Sequence, residues 1–201
     1  MKTGIMGGTF DPIHNGHLML AREAYRRFAL DEVWFMPNGH PPHKDQDSIG
    51  SDVADRVEMV RLAIETEASF HLEPYEANCK EVSYSYQTLS YLHQKYKDDD
   101  FYFIIGADSL FAIETWMHPE LIFPQCTILA AYRDEIDTNE EMYEQINYLR
   151  GKYQAVIELL ATPLLDISSS SLRRDIKSGI SIERQVPPPV NEYIKKHNLY
   201  V

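Results

Sequence analysis

Six short apolar runs, separated by stretches of helical periodicity, constrain the fold of this chain more than any other feature of its sequence. The runs span residues 2–6, 33–37, 70–73, 101–106, 127–132 and 156–161. Between the first two runs, apolar side chains recur at spacings of three and four residues, at Leu18, Ala21, Tyr25 and Phe28. Strands that alternate with helices predict parallel β-α-β units with helices on both faces of the sheet. We therefore expect an α/β protein with a Rossmann-like, doubly wound parallel sheet.

The length and the carboxyl-terminal segment indicate a single domain. The chain has 201 residues and shows no internal repeat or low-complexity linker. Residues 187–189 are prolines, which suit the first turn of a helix, and an apolar stripe follows them. We therefore expect one domain over residues 1–201, with residues 187–201 forming a closing C-terminal helix.

The acidic composition limits the classes of partner. A net charge of −12 argues against a nucleic-acid-binding protein, which would need a basic face. No apolar run is long enough to cross a bilayer, so no membrane association is expected. Cys79 and Cys126 form no C-x-x-C pair and the first residues do not form a signal peptide, which together predict a cytoplasmic location. A polyanionic ligand would need local cations and N–H donors.

The first loop has the composition of a phosphate site. Gly7-Gly8-Thr9-Phe10-Asp11-Pro12 follows the first strand, and a helix is expected to start near Asn15. The two glycines should let the backbone turn tightly and approach a ligand, and the helix start should offer N–H donors. Neither G-x-x-x-x-G-K-[ST] nor G-x-G-x-x-G is present, which argues against P-loop enzymes and dinucleotide-binding dehydrogenases.

His14 and His17 distinguish this loop from an ordinary glycine turn. They lie three residues apart at the expected helix start, so they should share a face, and Gly16 between them should leave room for a ligand. Two imidazoles in this position could donate hydrogen bonds to phosphoryl oxygens. Two surface histidines on a capped helix, or half of a metal site, are the alternatives. Metal binding is disfavoured because the sequence offers no evident third ligand.

Two further segments favour a nucleotide. Residues 168–171 are four serines followed closely by Arg173, more than helix capping requires, and hydroxyls with a guanidinium suit an anion. Gly106 and Asp108 end a strand that we expect to neighbour the first one, where doubly wound sheets bind ligands. Asp108 could bond ribose hydroxyls, or it could simply cap a helix.

Three other features bear on a second substrate. The loop of residues 37–44 adds His43 and Lys44, although it could be no more than a stiff solvated loop. Ser83-Tyr84-Ser85 starts a helix whose N–H groups could hold a carboxylate, or Ser83 could be an ordinary cap. Trp116 could stack on a pyridine ring, or it could pack in the core.

These segments together resemble a known family. The string G-G-T-F-D-P-I-H-N-G-H at residues 7–17 resembles the (H/T)-x-G-H nucleotidyltransferase superfamily, and residues 167–173 resemble its I-S-S-T-x-(I/L)-R motif, with Ser170 in place of threonine. Along nearly the whole chain, the order of segments is similar to that of bacterial nicotinate mononucleotide adenylyltransferases. The chain departs from that family at Ser85, which replaces a threonine, and after Arg133, where the usual R-P-G is absent. Residues 134–148 are polar and acidic and receive no function.

The resemblance implies a nucleotidyltransferase fold, an activity and a set of site residues. The implied reaction transfers AMP from ATP to nicotinate mononucleotide, giving deamido-NAD and pyrophosphate in NAD biosynthesis. The implied catalytic residues are His14, His17 and Arg173. The implied ATP-binding residues are Gly8, Thr9, Phe10, Gly106, Asp108, Ser168, Ser169 and Ser170. The implied mononucleotide-binding residues are Lys44, Tyr84, Ser85, Trp116 and Arg133.

The expected ligands follow from that reaction. The partners are ATP and nicotinate mononucleotide, with Mg²⁺ arriving on ATP and held by phosphates and water, so no protein metal site is expected. The sequence leaves a homo-oligomer open. Two alternatives also stay open: the same chemistry on nicotinamide mononucleotide or phosphopantetheine, and a noncatalytic adenine-nucleotide sensor.

Overall fold

A computed structural model of the chain describes residues 1–42, 48–133, 139–162 and 167–201. The strands in these residues are β1 Lys2–Gly8, β2 Glu32–Pro37, β3 Phe70–Leu72, β4 Asp100–Gly106, β5 Thr127–Arg133 and β6 Val156–Thr162. The helices are α1 Asn15–Arg27, α2 Val53–Ile64, α3 Ser85–Lys95, α4 Ala107–Ala112, α5 Asn139–Tyr153, α6 Ser169–Lys177 and α7 Pro188–His197. Each of the six predicted apolar runs is a strand, with bounds that agree to within one or two residues.

The strands form a six-stranded sheet in the order β3-β2-β1-β4-β5-β6. β1 pairs with β4 in parallel, with Ile5 opposite Phe103, and β5 and β6 continue the parallel pairing. Strands β2 and β3 therefore follow β1 on one side of the sheet, and β5 and β6 follow β4 on the other side. The direction in which successive strands are added reverses between β1 and β4. This confirms the prediction of a doubly wound parallel α/β fold and the expectation that the strand ending at Gly106 neighbours β1.

The chain divides into two compact units. The first contains Met1–Met6, Leu20–Val33 and Tyr84–Leu164. Its strand residues Phe103, Ile128 and Leu129 are buried, as expected of parallel strands covered on both faces. Helix α5 contributes Met142, Ile146 and Leu149 to this core, at helical spacings of four and three. Part of the acidic segment to which the sequence assigned no function is therefore a packed amphipathic helix.

The second unit contains Gly7–Met19, Trp34–Ser83 and Leu165–Val201. Phe35 of β2 packs against Phe10 and Phe70 at centroid distances of 5.9 and 5.3 Å. Tyr193 of α7 donates a hydrogen bond of 2.8 Å to Asp55 of α2. The helix expected near the carboxyl end is therefore present as α7, whereas the assignment of residues 1–201 to one domain stays a prediction.

Candidate active site

The first loop turns at Phe10 rather than at its glycines. Gly7 and Gly8 are still part of β1, and the positive φ of the loop, 51°, belongs to Phe10. The prediction that the glycines make the turn is wrong in this respect. A left-handed backbone is unfavourable for a bulky residue, and here it is held by burial of the Phe10 ring against Phe35 and His17. Gly8 admits that ring, because a Cβ at Gly8 would lie 3.1 Å from it.

His14 and His17 lie together, as their spacing predicted. Their rings stack at a centroid distance of 3.7 Å. The backbone N–H of His14 donates to Nδ1 of His17 at 3.2 Å. A nitrogen that accepts cannot carry the proton of a neutral imidazole, so the proton of neutral His17 lies on Nε2. The fold thereby prepares His17 as an Nε2–H donor.

His14 is a buried neutral imidazole. Only 6% of the residue is exposed, and burial lowers its pKa to about 4. In the described part of the chain, its Nδ1 atom has no hydrogen-bond partner. His14 therefore brings hydrogen-bonding capacity to the first loop without bringing a positive charge at neutral pH.

Two details around the histidine pair differ from expectation. A Cβ at Gly16 would lie 3.0 Å from Nδ1 of His14, so this glycine makes room for the His14 ring. The N–H of Asn15, the first helical donor of α1, already bonds to the carbonyl oxygen of Gln185 at 2.9 Å. The start of α1 therefore offers fewer donors than the sequence suggested.

Asp11 is a buried residue that accepts several hydrogen bonds, a role that the sequence did not indicate. Its carboxylate accepts hydrogen bonds from the Gly50 N–H at 2.7 Å, the Ser51 hydroxyl at 2.6 Å and the Tyr200 hydroxyl at 2.8 Å. Burial, with the nearby Asp11 charge, raises the pKa of Tyr200, so its phenol stays a donor. The last residues of the chain are thus bonded to the first loop.

Arg173 reaches the same loop from α6. Its Nη1 atom donates to the carbonyl oxygen of Asp11 at 2.8 Å and lies 3.4 Å from the Asp11 carboxylate. Nη2 donates to the carbonyl oxygen of Ser48 at 3.2 Å. Arg173 therefore bonds to the same loop that carries His14 and His17, the other two residues that the sequence predicts to be catalytic.

The four serines divide into different roles. The Ser168 hydroxyl caps α6 by accepting a hydrogen bond from the Ser171 N–H at 3.1 Å, and the Ser171 hydroxyl accepts one from the Ser168 N–H. Ser169 donates to the carbonyl oxygen of Pro12 at 2.9 Å, which ties α6 to the first loop. Ser170 is exposed and borders a cavity of about 660 Å³ that is also lined by Arg173, Arg174 and Lys177. Capping thus accounts for Ser168 and Ser171, and the cavity beside Ser170 carries positive side chains.

Arg56 of α2 is a second residue without a signal in the sequence. Only 1% of it is exposed, and its guanidinium bonds to the carbonyl oxygens of Thr9, Asn38 and Gly39. Burial lowers the pKa of Arg56, although a guanidinium remains protonated in proteins. A buried positive charge is therefore hydrogen-bonded to the backbone of the first loop at Thr9.

In the first unit, Gly106 and Asp108 mark the end of β4. Gly106 is the N-cap residue of α4, without a side-chain cap, and Asp108 is exposed in the first helical turn. Asp108 is therefore not the helix cap that was its alternative role. In the described part of the chain, no atom lies within 4 Å of a Cβ built at Gly106, so this position faces open space.

The residues named for the second substrate are only partly described. Tyr84, not Ser83, is the N-cap residue of α3, and Ser85 is the first residue of that helix. Ser83 is buried, and within the described residues its hydroxyl has no partner. Trp116 is half-buried, with its ring edge-on to Phe103 at 6.2 Å. Lys44 and the Arg133 side chain lie outside the described residues.

Among the described residues, no three His, Cys, Asp or Glu side chains are grouped so that they could hold a metal ion. No helix among them is long and apolar enough to cross a bilayer.

Known proteins are similar to this chain along its whole length. A probable nicotinate-nucleotide adenylyltransferase of Lachnoclostridium phytofermentans is 41% identical over 200 residues, covering 100% of this chain and 99% of the relative. One of Clostridium kluyveri is 41% identical over 202 residues, with the same coverage. The solved nicotinic acid mononucleotide adenylyltransferase of Plasmodium falciparum, complexed with NaAD, shares the fold, with a TM-score of 0.81 and 22% identity over 100% of this chain and 98% of that one.

The doubly wound sheet and the similarity to these relatives place the chain among the nucleotidyltransferases of the α/β class. The cytidylyltransferase-like family model matches residues 5–175, and the chain belongs to that family.

Proposed function

We propose that this protein transfers AMP from ATP to the 5′-phosphate of nicotinate mononucleotide, forming deamido-NAD and releasing pyrophosphate. The observation that carries the proposal is that His14 and His17 lie on the loop to which Arg173 bonds. It is supported by relatives named probable nicotinate-nucleotide adenylyltransferase, which this chain matches over 99% of their length. The product makes this a step of NAD biosynthesis. The two free cysteines accord with a cytoplasmic location, which we include in the proposal.

The reaction is an in-line displacement at the α-phosphorus of ATP. An oxygen of the acceptor phosphate forms a bond to that phosphorus, and the bond to the oxygen bridging to the β-phosphorus breaks, so pyrophosphate leaves with the electron pair. The acceptor phosphate is largely dianionic at neutral pH, since its second pKa is about 6, and it needs no general base. The protein therefore has to align two polyanions and stabilise developing charge.

The residues of the first loop suit those two tasks. We assign the Nε2–H of His17 to the α-phosphate oxygens, because the His14 N–H fixes that tautomer. His14 donates to a neighbouring phosphate as a neutral imidazole. Arg173 and Ser170 stabilise the departing pyrophosphate, for which a guanidinium is the strongest donor available. The remaining ATP contacts are assigned to the residues Gly8, Thr9, Phe10, Gly106, Asp108, Ser168 and Ser169.

Three of the residues assigned to ATP, Phe10, Ser168 and Ser169, have contacts within the protein that limit how they can act. The Phe10 ring is buried, so only its backbone can meet a phosphate. The Ser168 and Ser169 hydroxyls are engaged with Ser171 and Pro12, so they act mainly by holding the start of α6 in place.

The nicotinate side of the acceptor is assigned to the start of α3 and to Trp116. The first N–H groups of a helix have no intrahelical partners, so those of Tyr84 and Ser85 suit the nicotinate carboxylate. Trp116 stacks on the pyridine ring in this proposal, and Lys44 and Arg133 bind the acceptor phosphate. Mg²⁺ enters with ATP and is held by phosphates and water in this proposal.

The test is a comparison of acceptors with purified protein, ATP and Mg²⁺. Nicotinate and nicotinamide mononucleotide differ only in carboxylate against carboxamide, so they form a matched pair, and phosphopantetheine is the third acceptor. We expect deamido-NAD and pyrophosphate in equal amounts, and kcat/KM for the nicotinate compound higher by about ten-fold or more, the worth of one charge-assisted hydrogen bond. Absence of any dinucleotide product would refute the proposal. Equal turnover of the matched pair would refute the assignment of the carboxylate to α3.

A further inference from the structure

Arg56 is a charged side chain that is almost completely buried. It is the fourth residue of α2, and 1% of its surface is exposed. Arginine is almost never fully buried unless its donors are paired, because desolvation of the charge is costly. The acceptors that offset this cost therefore indicate what the side chain does.

Those acceptors are backbone carbonyl oxygens of two different loops. Nη1 donates to Thr9 at 2.8 Å and to Asn38 at 2.6 Å, and Nη2 donates to Gly39 at 3.4 Å. Thr9 belongs to the first loop, and Asn38 and Gly39 begin the loop that follows β2. In the described part of the chain, Nε has no partner, so the hydrogen bonds of the guanidinium are committed to this bridge.

Neighbouring contacts show that the second loop is held in place from both sides. The Asn38 N–H donates to the Gly8 carbonyl oxygen at 2.9 Å, and the Asn38 side chain donates to Glu76 at 2.8 Å. The Gly39 N–H donates to the Glu76 carbonyl oxygen at 3.3 Å. Arg56 is therefore one part of a small network that fixes the start of this loop against the end of β1.

We propose that Arg56 is a positioning residue that couples the ATP-binding first loop to the loop after β2. The inference rests on the proposed function, in which Thr9 meets ATP and Lys44, further along the second loop, meets the acceptor. A guanidinium can bond several carbonyl oxygens at once because its donors form a rigid fork, whereas the single ammonium of lysine cannot reproduce that fork. Loss of the bridge weakens the connection between the two loops, which loosens the alignment of both substrates.

The test compares two arginine-to-lysine substitutions in the same helix. Arg56→Lys keeps the charge and removes the fork. Arg61→Lys is the matched control, since Arg61 is exposed and pairs with Glu58 and Glu65. We expect Arg56→Lys to raise the KM for ATP and the KM for nicotinate mononucleotide by about ten-fold each, the loss of one charge-assisted hydrogen bond. Amide hydrogen exchange should accelerate in residues 7–12 and 37–42 together, and Arg61→Lys should change neither quantity.

The outcomes separate the coupling from a purely structural role and from the proposed function. A folded Arg56→Lys protein with wild-type KM values, or with faster exchange in one loop only, would overturn the coupling. If Arg56→Lys does not fold, the wild-type protein decides: α,β-methylene-ATP alone should slow exchange in residues 37–42 as well as in 7–12, and slowing confined to 7–12 would overturn it. A wild-type protein that forms no deamido-NAD refutes the proposed function, while joint opening of the two loops in Arg56→Lys would still support the bridge.

Discussion

Replacing His14 with glutamine should make the free energy of unfolding fall less steeply as the pH is lowered. The imidazole of His14 is buried, and its pKa in the folded protein is about 4, against 6.5 for an exposed histidine. Between these two values, the unfolded chain binds a proton at this position and the folded chain does not. Stability therefore rises with pH through this window and is complete above about pH 7.

The size of the effect follows from the two pKa values of His14. A difference from 6.5 to about 4, at about 1.4 kcal/mol per pH unit, gives about 3 kcal/mol in total. On this basis the His14 contribution costs about 2 kcal/mol of unfolding free energy between pH 7 and pH 5, and about 3 kcal/mol by pH 4. His14→Gln has no proton to bind there, so its stability should fall less steeply over the same range.

The assay is urea unfolding at half-unit steps from pH 7.5 to pH 4, for the wild type, His14→Gln and His71→Gln. His71 lies in β3 with an exposed side chain, and its replacement should leave the steep acid slope intact. Parallel stability curves for the wild type and His14→Gln would refute the reasoning. So would an NMR titration in which the His14 ring protonates near pH 6.5 in the folded protein.

Three further predictions concern the site and the cysteines. His17→Ala should lower kcat by about 10²-fold or more while ATP binding persists, because the lost donor acts on charge that develops in the transition state; an unchanged kcat would contradict that role. Arg173→Lys should weaken product inhibition by pyrophosphate by about ten-fold, since an ammonium cannot replace the guanidinium fork, and this is measured as Ki against ATP. Burial raises the pKa of Cys126 to about 12, so iodoacetamide at pH 8 should alkylate Cys79 and leave Cys126 unmodified until the protein is unfolded, as followed by mass spectrometry.

The sheet was predictable because its strands are encoded locally. A parallel strand covered on both faces must be apolar along its length, so residues 101–106 and 127–132 stand out from the polar segments around them. The sequence did not single out helix α5, for the converse reason. Met142, Ile146 and Leu149 carry a helical pattern, but acidic and polar residues on the solvent side hide it.

The site was predictable only where its residues are close in sequence. His14 and His17 meet because three residues separate them at a helix start. Asp11 receives one of its hydrogen bonds from Tyr200, 189 residues away, and no local sequence pattern predicts such a contact. Arg56 likewise looks like an ordinary helix residue, since its acceptors are backbone carbonyl oxygens, which every sequence has.

The contacts of the first loop also explain how an acidic chain holds polyphosphate. A net charge of −12 requires local positive charge at the site, which histidine, lysine or arginine side chains near loops could supply. Burial keeps His14 neutral, so it cannot supply that charge. Arg173 lies 3.4 Å from the Asp11 carboxylate, and Asp11 and Asp52 also act electrostatically on Arg56, whose hydrogen-bond acceptors in the described residues are neutral carbonyl oxygens. The positive charge at this loop therefore comes from Arg56 and Arg173 and is partly offset by these carboxylates, while His14 contributes a hydrogen-bonding group rather than a charge.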